Sequence, residues 1–206
     1  QLTYRLLTNE TDITNLRLKT GNLYKDDWVK LNSTIKNLSA LPFFIDDTSN
    51  PSIQDIRSKI KKILFEQNQI GLIVIDYLQL MQNGKFKTDN RAQELSQITR
   101  SLKILAREFS VPIIALSQLS RNVESRVNKR PILSDLRESG SIEQDADLVL
   151  MLYRESYYNS TELSENINSI DSVELIIAKQ RNGPVGTIDL NFDSSRTKFL
   201  NIDPNY

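Results

Sequence analysis

A single carboxylate, Asp76, follows an apolar run directly in the stretch GLIVIDYLQL, residues 71–80. Apolar residues resume after it, so the pattern predicts that Asp76 is buried at the end of a strand. An unpaired ionised carboxylate in a dry interior costs several kcal/mol, and such a group is usually hydrogen-bonded, ion-paired or bound to a metal. We therefore expect Asp76 to have a partner.

Two interpretations of Asp76 stay open on this pattern alone. In a Walker B motif, a carboxylate at a strand end orients Mg²⁺ on a nucleoside triphosphate, often through water. Alternatively, the carboxylate accepts hydrogen bonds from backbone or caps a helix. A Walker B residue needs a P-loop, G-x-x-x-x-G-K-[ST], and none of the six glycines begins one. Either Asp76 has another role, or its P-loop precedes Gln1.

Three further polar side chains lie at or near predicted strand ends. Gln118 follows the run VPIIAL, and a neutral amide there can bind a γ-phosphate without charge repulsion or can satisfy loop backbone. Lys179 and Arg181 are two residues apart on an extended run, so both point the same way. Gly183 and Pro184 then end the strand. By themselves, the two cations also fit a surface ion-pair site.

Two polar segments between the predicted strands carry basic residues. In LRESGSIEQDAD, residues 136–147, Arg137 is followed by small residues, and a guanidinium beside exposed backbone N–H groups can cradle a phosphodiester. Alternatively, Ser139 or Ser141 caps a helix with Glu143 in its first turn. The other segment is SRNVESRVNKRP, residues 120–131, and a charge run of this kind is ordinarily solvated surface. Its basic residues are Arg121, Arg126, Lys129 and Arg130.

The elements that must position these side chains alternate along the chain. Apolar β-branched runs predict strands at 72–75, 111–116, 148–153 and 173–178, and apolar residues at helical spacing predict helices at 52–66 and 91–109. Strands separated by such helices are typical of a parallel sheet covered on both faces. Two last runs, 185–192 and 197–202, indicate a hairpin at the sheet edge, and 43–45 is a short predicted strand. Ligands of such folds bind beyond the carboxyl ends of the strands.

Composition excludes several kinds of site. The 206 residues contain neither cysteine nor histidine, which removes disulfides, zinc–thiolate sites, thiol nucleophiles and histidine general bases. Lys+Arg and Asp+Glu are both 26, so net charge argues neither for nor against nucleic acid. No apolar run reaches the roughly 18 residues that a membrane helix needs. We expect a soluble, intracellular protein without membrane partners.

Five stretches together resemble the C-terminal motor domain of the DnaB-type replicative DNA helicases, a RecA-like ATPase. They are LRLKTGNLYKDDW, LPFFIDDT, LIVIDYLQLM, VPIIALSQLSRNVESRVNKRPILSDLRESGSIEQDAD and IIAKQRNGPVG, in this order. The resemblance implies an α/β fold with a RecA-like, mostly parallel sheet covered by helices and an antiparallel hairpin at its C-terminal edge. Residues 1–206 would form a partial domain that lacks the upstream P-loop segment, the catalytic glutamate and an N-terminal domain. By itself this chain is expected to be inactive.

The resemblance also assigns roles to the candidate residues. It implies ATP and Mg²⁺ as cofactors, with Asp76 holding the metal through water and Gln118 sensing the γ-phosphate. Lys179 and Arg181 match the residues that reach the neighbouring subunit's ATP, and Arg181 would be the arginine finger. These four residues are the predicted catalytic and ATP-binding set. The predicted DNA-binding residues, on loops facing a ring's central channel, are Arg137, Glu138, Gly140, Arg121, Arg126, Lys129 and Arg130.

The implied function is ATP hydrolysis at the subunit interfaces of a homohexamer, which drives movement along single-stranded DNA and unwinding of the duplex. Primase and a helicase loader are the implied partners, and the bacterial cytoplasm or the plastid stroma is the expected compartment. Two alternatives remain: another RecA-like ATPase of recombinase or clock type, and a noncatalytic interaction domain.

Overall fold

The computed structural model describes residues 2–82, 91–159 and 170–202. Its helices are α1 (Leu2–Glu10), α2 (Asn15–Thr20), α3 (Lys25–Ser39), α4 (Ile53–Gln67), α5 (Arg91–Phe109), α6 (Gly140–Asp145) and α7 (Ser156–Asn159). Its strands are β1 (Ile73–Ile75), β2 (Ile113–Ala115), β3 (Leu148–Tyr153), β4 (Ile170–Gln180), β5 (Gly186–Asp193) and β6 (Lys198–Asn201). None of the described helices is long and apolar enough to cross a membrane.

The chain divides into two compact units. The first unit comprises Gln1–Ile45, Leu152–Ile176 and Thr187–Tyr206, and the second comprises Asp46–Met151 and Ile177–Gly186. All the predicted site residues belong to the second unit.

In the first unit, the turn between β5 and β6 is held by side chains of the N-terminal helices. Thr8 Oγ1 donates a hydrogen bond to the Arg196 carbonyl over 3.1 Å, and Asn15 Nδ2 donates to Thr197 Oγ1 over 2.8 Å. Thr8 is fully buried although it is polar, and the bond to the Arg196 carbonyl satisfies its hydroxyl donor. The hairpin is therefore anchored at its turn.

The second unit is built around α5. Its apolar residues recur at helical spacing, so one face of the helix meets the short turn that follows β1. The fully or nearly fully buried cluster consists of Leu78, Met81, Leu95, Ile98, Leu102 and Leu105. Six partly buried residues pack against this cluster: Ile53, Ile56, Ile75, Phe109, Ile113 and Ile142.

The strands form two sheets within the described residues. Strands β1 and β2 are parallel, with Ile73 opposite Ile113 and Ile75 opposite Ala115. The second sheet has the order β3-β4-β5-β6, and β5 and β6 are antiparallel. The predicted α/β fold with parallel strands and a C-terminal hairpin is thus confirmed.

Three details of the predicted elements are wrong. The runs 148–153 and 173–178 lie in the sheet of the hairpin and not in the sheet of β1 and β2. The sequence did not indicate this, because an apolar run predicts a strand but does not specify the strand beside it. In addition, β3 buries only alternate residues, Val149 and Met151, and exposes Leu148, Leu150 and Leu152. Residues 43–45 form no strand, and all three are exposed, since three apolar residues without a pairing strand do not suffice.

Candidate functional site

Asp76 follows β1 directly and lies one step beyond the paired residues Ile75 and Ala115. Because β1 and β2 are parallel, Asp76 and the residues after β2 share the carboxyl edge of this sheet. The prediction of burial is wrong: the Asp76 side chain is exposed. No hydrogen bond or ion pair to its carboxylate is present within the described residues, and exposure to water removes the cost of leaving it unpaired.

Gln79 joins the turn after Asp76 to the end of β2, and the sequence did not single it out. Its Nε2 donates to Ser117 Oγ over 3.1 Å and to the Gln118 carbonyl over 3.3 Å. The Gln118 backbone N–H donates back to Gln79 Oε1 over 3.3 Å. This bidentate clamp fixes the backbone of Gln118 and leaves its side chain exposed. An amide three residues after the strand-end carboxylate was the only sequence signal.

Lys179 and Arg181 both reach the carboxyl end of α6, as expected for side chains that point the same way. Lys179 Nζ donates to the Glu143 carbonyl, and Arg181 Nη2 donates to the Gln144 carbonyl over 2.9 Å. Terminal helix carbonyls lack intrahelical partners and attract cations. The Arg181 backbone N–H also donates to the Asp147 carbonyl over 2.9 Å. The two cations are therefore docked on α6.

Asp147 is the anionic partner at this end of α6. Its carboxylate pairs with Lys103 of α5 and lies 3.6 Å from Arg181 Nη1. The hydrogen bond from Lys103 lowers the pKa of Asp147, and the positive charges of Lys103, Arg181 and Arg107 lower it further. Asp147 and Arg181 thus form an exposed ion pair, which is weak by itself.

The four basic side chains of residues 120–131 differ in their exposure. Arg121 is exposed, and Lys129 and Arg130 are half-buried. Arg126 Nη2 donates to Asp135 Oδ2 over 2.6 Å, so this guanidinium is already paired inside the protein.

The remaining DNA-binding predictions fall where the structure describes only backbone. Arg137, Glu138 and Ser139 end a 3₁₀ turn, Leu133–Ser139, and α6 begins at Gly140. The side chains of residues 137–141 lie outside the described residues. The backbone agrees with the prediction of a helix start here, and the predicted roles of Arg137, Glu138 and Gly140 stay predictions.

The acidic side chains at the site determine how a magnesium ion could bind there. No group of three or more acidic, histidine or cysteine side chains in the described ranges could enclose a metal. Asp76 offers one exposed carboxylate, and Mg²⁺ usually keeps several waters and takes one or two carboxylates together with substrate phosphates. The residues therefore fit a water-mediated metal contact.

Comparison with known proteins identifies the family. The sequence model described as "DnaB-like helicase C terminal domain" matches residues 1–201. The chain belongs to this family. The resemblance drawn from the motifs is thereby confirmed, and neither a recombinase or clock-type ATPase nor a noncatalytic domain is favoured.

Named DnaB-family relatives match nearly the whole chain. It is 70% identical over 200 residues to a probable replicative DNA helicase of Trieres chinensis, covering 97% of this chain and 44% of that protein. It is 52% identical over 203 residues to the replicative DNA helicase DnaB of Geobacillus stearothermophilus, covering 98% of this chain and 43% of that protein. The chain thus spans less than half the length of these relatives.

Two solved structures show the same fold. One is described as the structure of a DnaB-like replicative helicase and its interactions with primase; it has a TM-score of 0.85 and 42% identity, covering 97% of this chain and 48% of that one. The other is described as an ATPase domain, with a TM-score of 0.84, 42% identity and coverage of 97% of this chain and 69% of that one.

Proposed function

We propose that this chain is the RecA-like motor part of a larger replicative DNA helicase. In this proposal ATP is hydrolysed at the subunit interfaces of a hexameric ring that moves along single-stranded DNA and unwinds the duplex. The observation that carries the proposal is the family match along residues 1–201. Primase and a helicase loader are the proposed protein partners, and the bacterial cytoplasm or plastid stroma is the proposed compartment.

In the proposed reaction, ATP with Mg²⁺ supplies the phosphoryl group and the counter-charge for its transfer. Asp76 would hold the metal through bound water, which suits an exposed carboxylate without a protein partner among the described residues. Gln118 offers a neutral amide to the γ-phosphate. The Gln79 clamp holds the backbone of Gln118 in place for this contact.

Lys179 and Arg181 are proposed to act in the neighbouring subunit's nucleotide site. A positioned arginine stabilises the charge that spreads over the transferred phosphoryl group, and arginine fingers in nucleotide hydrolases contribute on the order of 10³ to 10⁵ in rate. Here both cations rest on carbonyls at one end of α6. The other end of α6 starts at Gly140, in the proposed DNA loop, so one short helix joins the two functions.

The proposed DNA path follows the phosphate backbone, since a replicative motor must ignore sequence. Arg137, Glu138 and Gly140 would contact one strand, and Arg121, Lys129 and Arg130 lie on the preceding segment. Arg126 is proposed to act only indirectly, because its guanidinium is paired with Asp135.

The test is ATP hydrolysis by the full-length helicase that contains this chain, with and without single-stranded poly(dT). We expect stimulation by the DNA and a roughly 100-fold loss of hydrolysis in Asp76→Asn, as for removal of one group that stabilises transition-state charge. Glu66→Gln removes an exposed carboxylate that pairs with Lys62 over 3.9 Å and should behave as the unsubstituted protein. Full activity in Asp76→Asn, or no hydrolysis in the unsubstituted protein, would contradict the proposal.

A further inference from the structure

Asp135 is a buried carboxylate near the end of the segment 120–136, in which exposed polar residues such as Arg121 and Glu124 alternate with apolar ones. Asp135 is only 6% exposed. Its Oδ2 accepts a hydrogen bond from Arg126 Nη2 over 2.6 Å and another from the Ile132 backbone N–H over 2.8 Å. Two donors, one of them charged, therefore bond to Oδ2 of this buried carboxylate.

The backbone of Asp135 makes two further connections. Its carbonyl accepts from the Ser120 N–H over 2.9 Å, and its N–H donates to the Ile132 carbonyl over 2.9 Å. One residue therefore ties together Ser120, Arg126 and Ile132. The segment 120–136 is consequently folded back on itself, and buried Val123 lies within it.

Asp135 lies between two parts of the proposed motor. Ser120 is two residues after Gln118, whose backbone is clamped by Gln79. In the other direction, Arg137 of the proposed DNA loop is two residues after Asp135. Gln118 and Arg137 are nineteen residues apart along the chain. Through the hydrogen bond from Ser120 to Asp135, they are connected by two residue steps on each side of one backbone contact.

We propose that Asp135 is a positioning residue: it holds residues 120–136 in one conformation and couples the end of β2 at Gln118 to the DNA-contacting loop. This inference rests on the proposed function. Arg126 contributes to the same positioning, since its guanidinium bonds to Asp135 and so fixes the fold of residues 120–136. A displacement of Gln118 on nucleotide binding is transmitted through Ser120 to Asp135 and on to Arg137.

Asp135→Asn is the substitution that tests this role, because it keeps the shape of the side chain and removes its charge. Asp135→Glu keeps the charge and should restore part of the function. Glu108→Gln is the matched control. Glu108 pairs with Arg57 over 3.0 Å, with both side chains about one-third exposed, and this ion pair joins α5 to α4.

The first readout is amide hydrogen exchange in the full-length protein without DNA. We expect exchange of residues 120–136 to rise at least tenfold in Asp135→Asn and to stay unchanged in Glu108→Gln. Unchanged exchange in Asp135→Asn would overturn the positioning role, whatever the activity.

The second readout is the concentration of poly(dT) that gives half-maximal stimulation of ATP hydrolysis. We expect it to rise about tenfold in Asp135→Asn, with basal hydrolysis within twofold and partial recovery in Asp135→Glu. A parallel fall of basal and stimulated rates, together with ring assembly, would show a merely structural role and overturn the coupling. If the unsubstituted protein shows no stimulation at all, the proposed function fails, and the coupling fails with it. The exchange data then still decide whether Asp135 orders the segment.

Discussion

Arg181 is the residue whose environment most sharply constrains the proposed reaction. In the structure it contacts its own subunit, through the Gln144 carbonyl and Asp147. The proposal requires its guanidinium to act on a nucleotide bound by a neighbour, so the contacts with α6 must hold it in reach of the interface.

We expect Arg181→Ala in the full-length protein to leave nucleotide binding nearly intact and to lower hydrolysis about 10³-fold, the usual contribution of an arginine finger. Mixing Arg181→Ala subunits with Asp76→Asn subunits should restore part of the activity, because a mixed interface can combine one intact half from each. Steady-state hydrolysis across mixing ratios measures this. The control mixes Arg181→Ala with Lys179→Ala, whose defects lie in the same half, and should restore nothing. If mixed rings form and no ratio recovers hydrolysis, Arg181 does not act across the interface.

Among single residues, the sequence identified those that are charged next to an apolar run. Asp76 interrupts an apolar run, and Lys179 and Arg181 are paired before a strand break, so pattern alone marked them. Gln79 and Asp135 were missed because their importance lies in contacts with residues distant in the chain.

Among the elements, helices were the easier prediction. The spacing in residues 91–109 matches α5 from its first residue to its last, because nineteen residues carry several repeats of the helical period. Strands of three residues carry no such redundancy, so the predicted run 111–116 shrinks to Ile113–Ala115. The hairpin of β5 and β6 was predictable because its strands are close in the chain. The partners of β3 and β4 were not, because the alternation of side chains along a strand does not specify which strand lies beside it.

The turn between β5 and β6 offers a test of local stability. Asp193 Oδ1 accepts from the Ser195 N–H over 2.9 Å, Ser195 Oγ over 2.6 Å and the Arg196 N–H over 3.3 Å. Burial by itself raises the pKa of Asp193, but the hydrogen bonds from Ser195 and Arg196 and the charge of Arg196 outweigh it, so its pKa lies below the usual 3.8. The ionised carboxylate therefore stabilises the turn.

Because the folded-state pKa is lowered, this stabilisation is fully present above the ordinary pKa and is lost as pH falls through the folded-state value. We expect Asp193→Asn to destabilise the protein by about 1.5 kcal/mol at pH 7, as for hydrogen bonds to a charged group. Thermal unfolding should show the difference shrink as pH falls below about 4. Asp12→Asn, which removes an exposed partner 3.3 Å from Arg196, should cost much less. A difference independent of pH would show that the charge of Asp193 does not matter.

At the scale of the whole molecule, the candidate residues share one unit. Asp76, Gln118, Lys179 and Arg181 all lie in the second unit, as do residues 120–147. The proposed nucleotide and DNA contacts are linked there by two short paths, one through Gln79 and Asp135 and the other through α6. The family match along residues 1–201 supports the proposal that this unit belongs to a motor. In such a motor, ATP hydrolysis and DNA contacts must change together.

Helicase activity of the full-length protein can be measured by strand displacement from a forked DNA duplex. We predict unwinding that requires ATP and Mg²⁺, stops with a non-hydrolysable analogue and is lost in Asp76→Asn. Rings that hydrolyse ATP and bind single-stranded DNA yet release no strand from the fork would contradict it, and so would unwinding that survives Asp76→Asn.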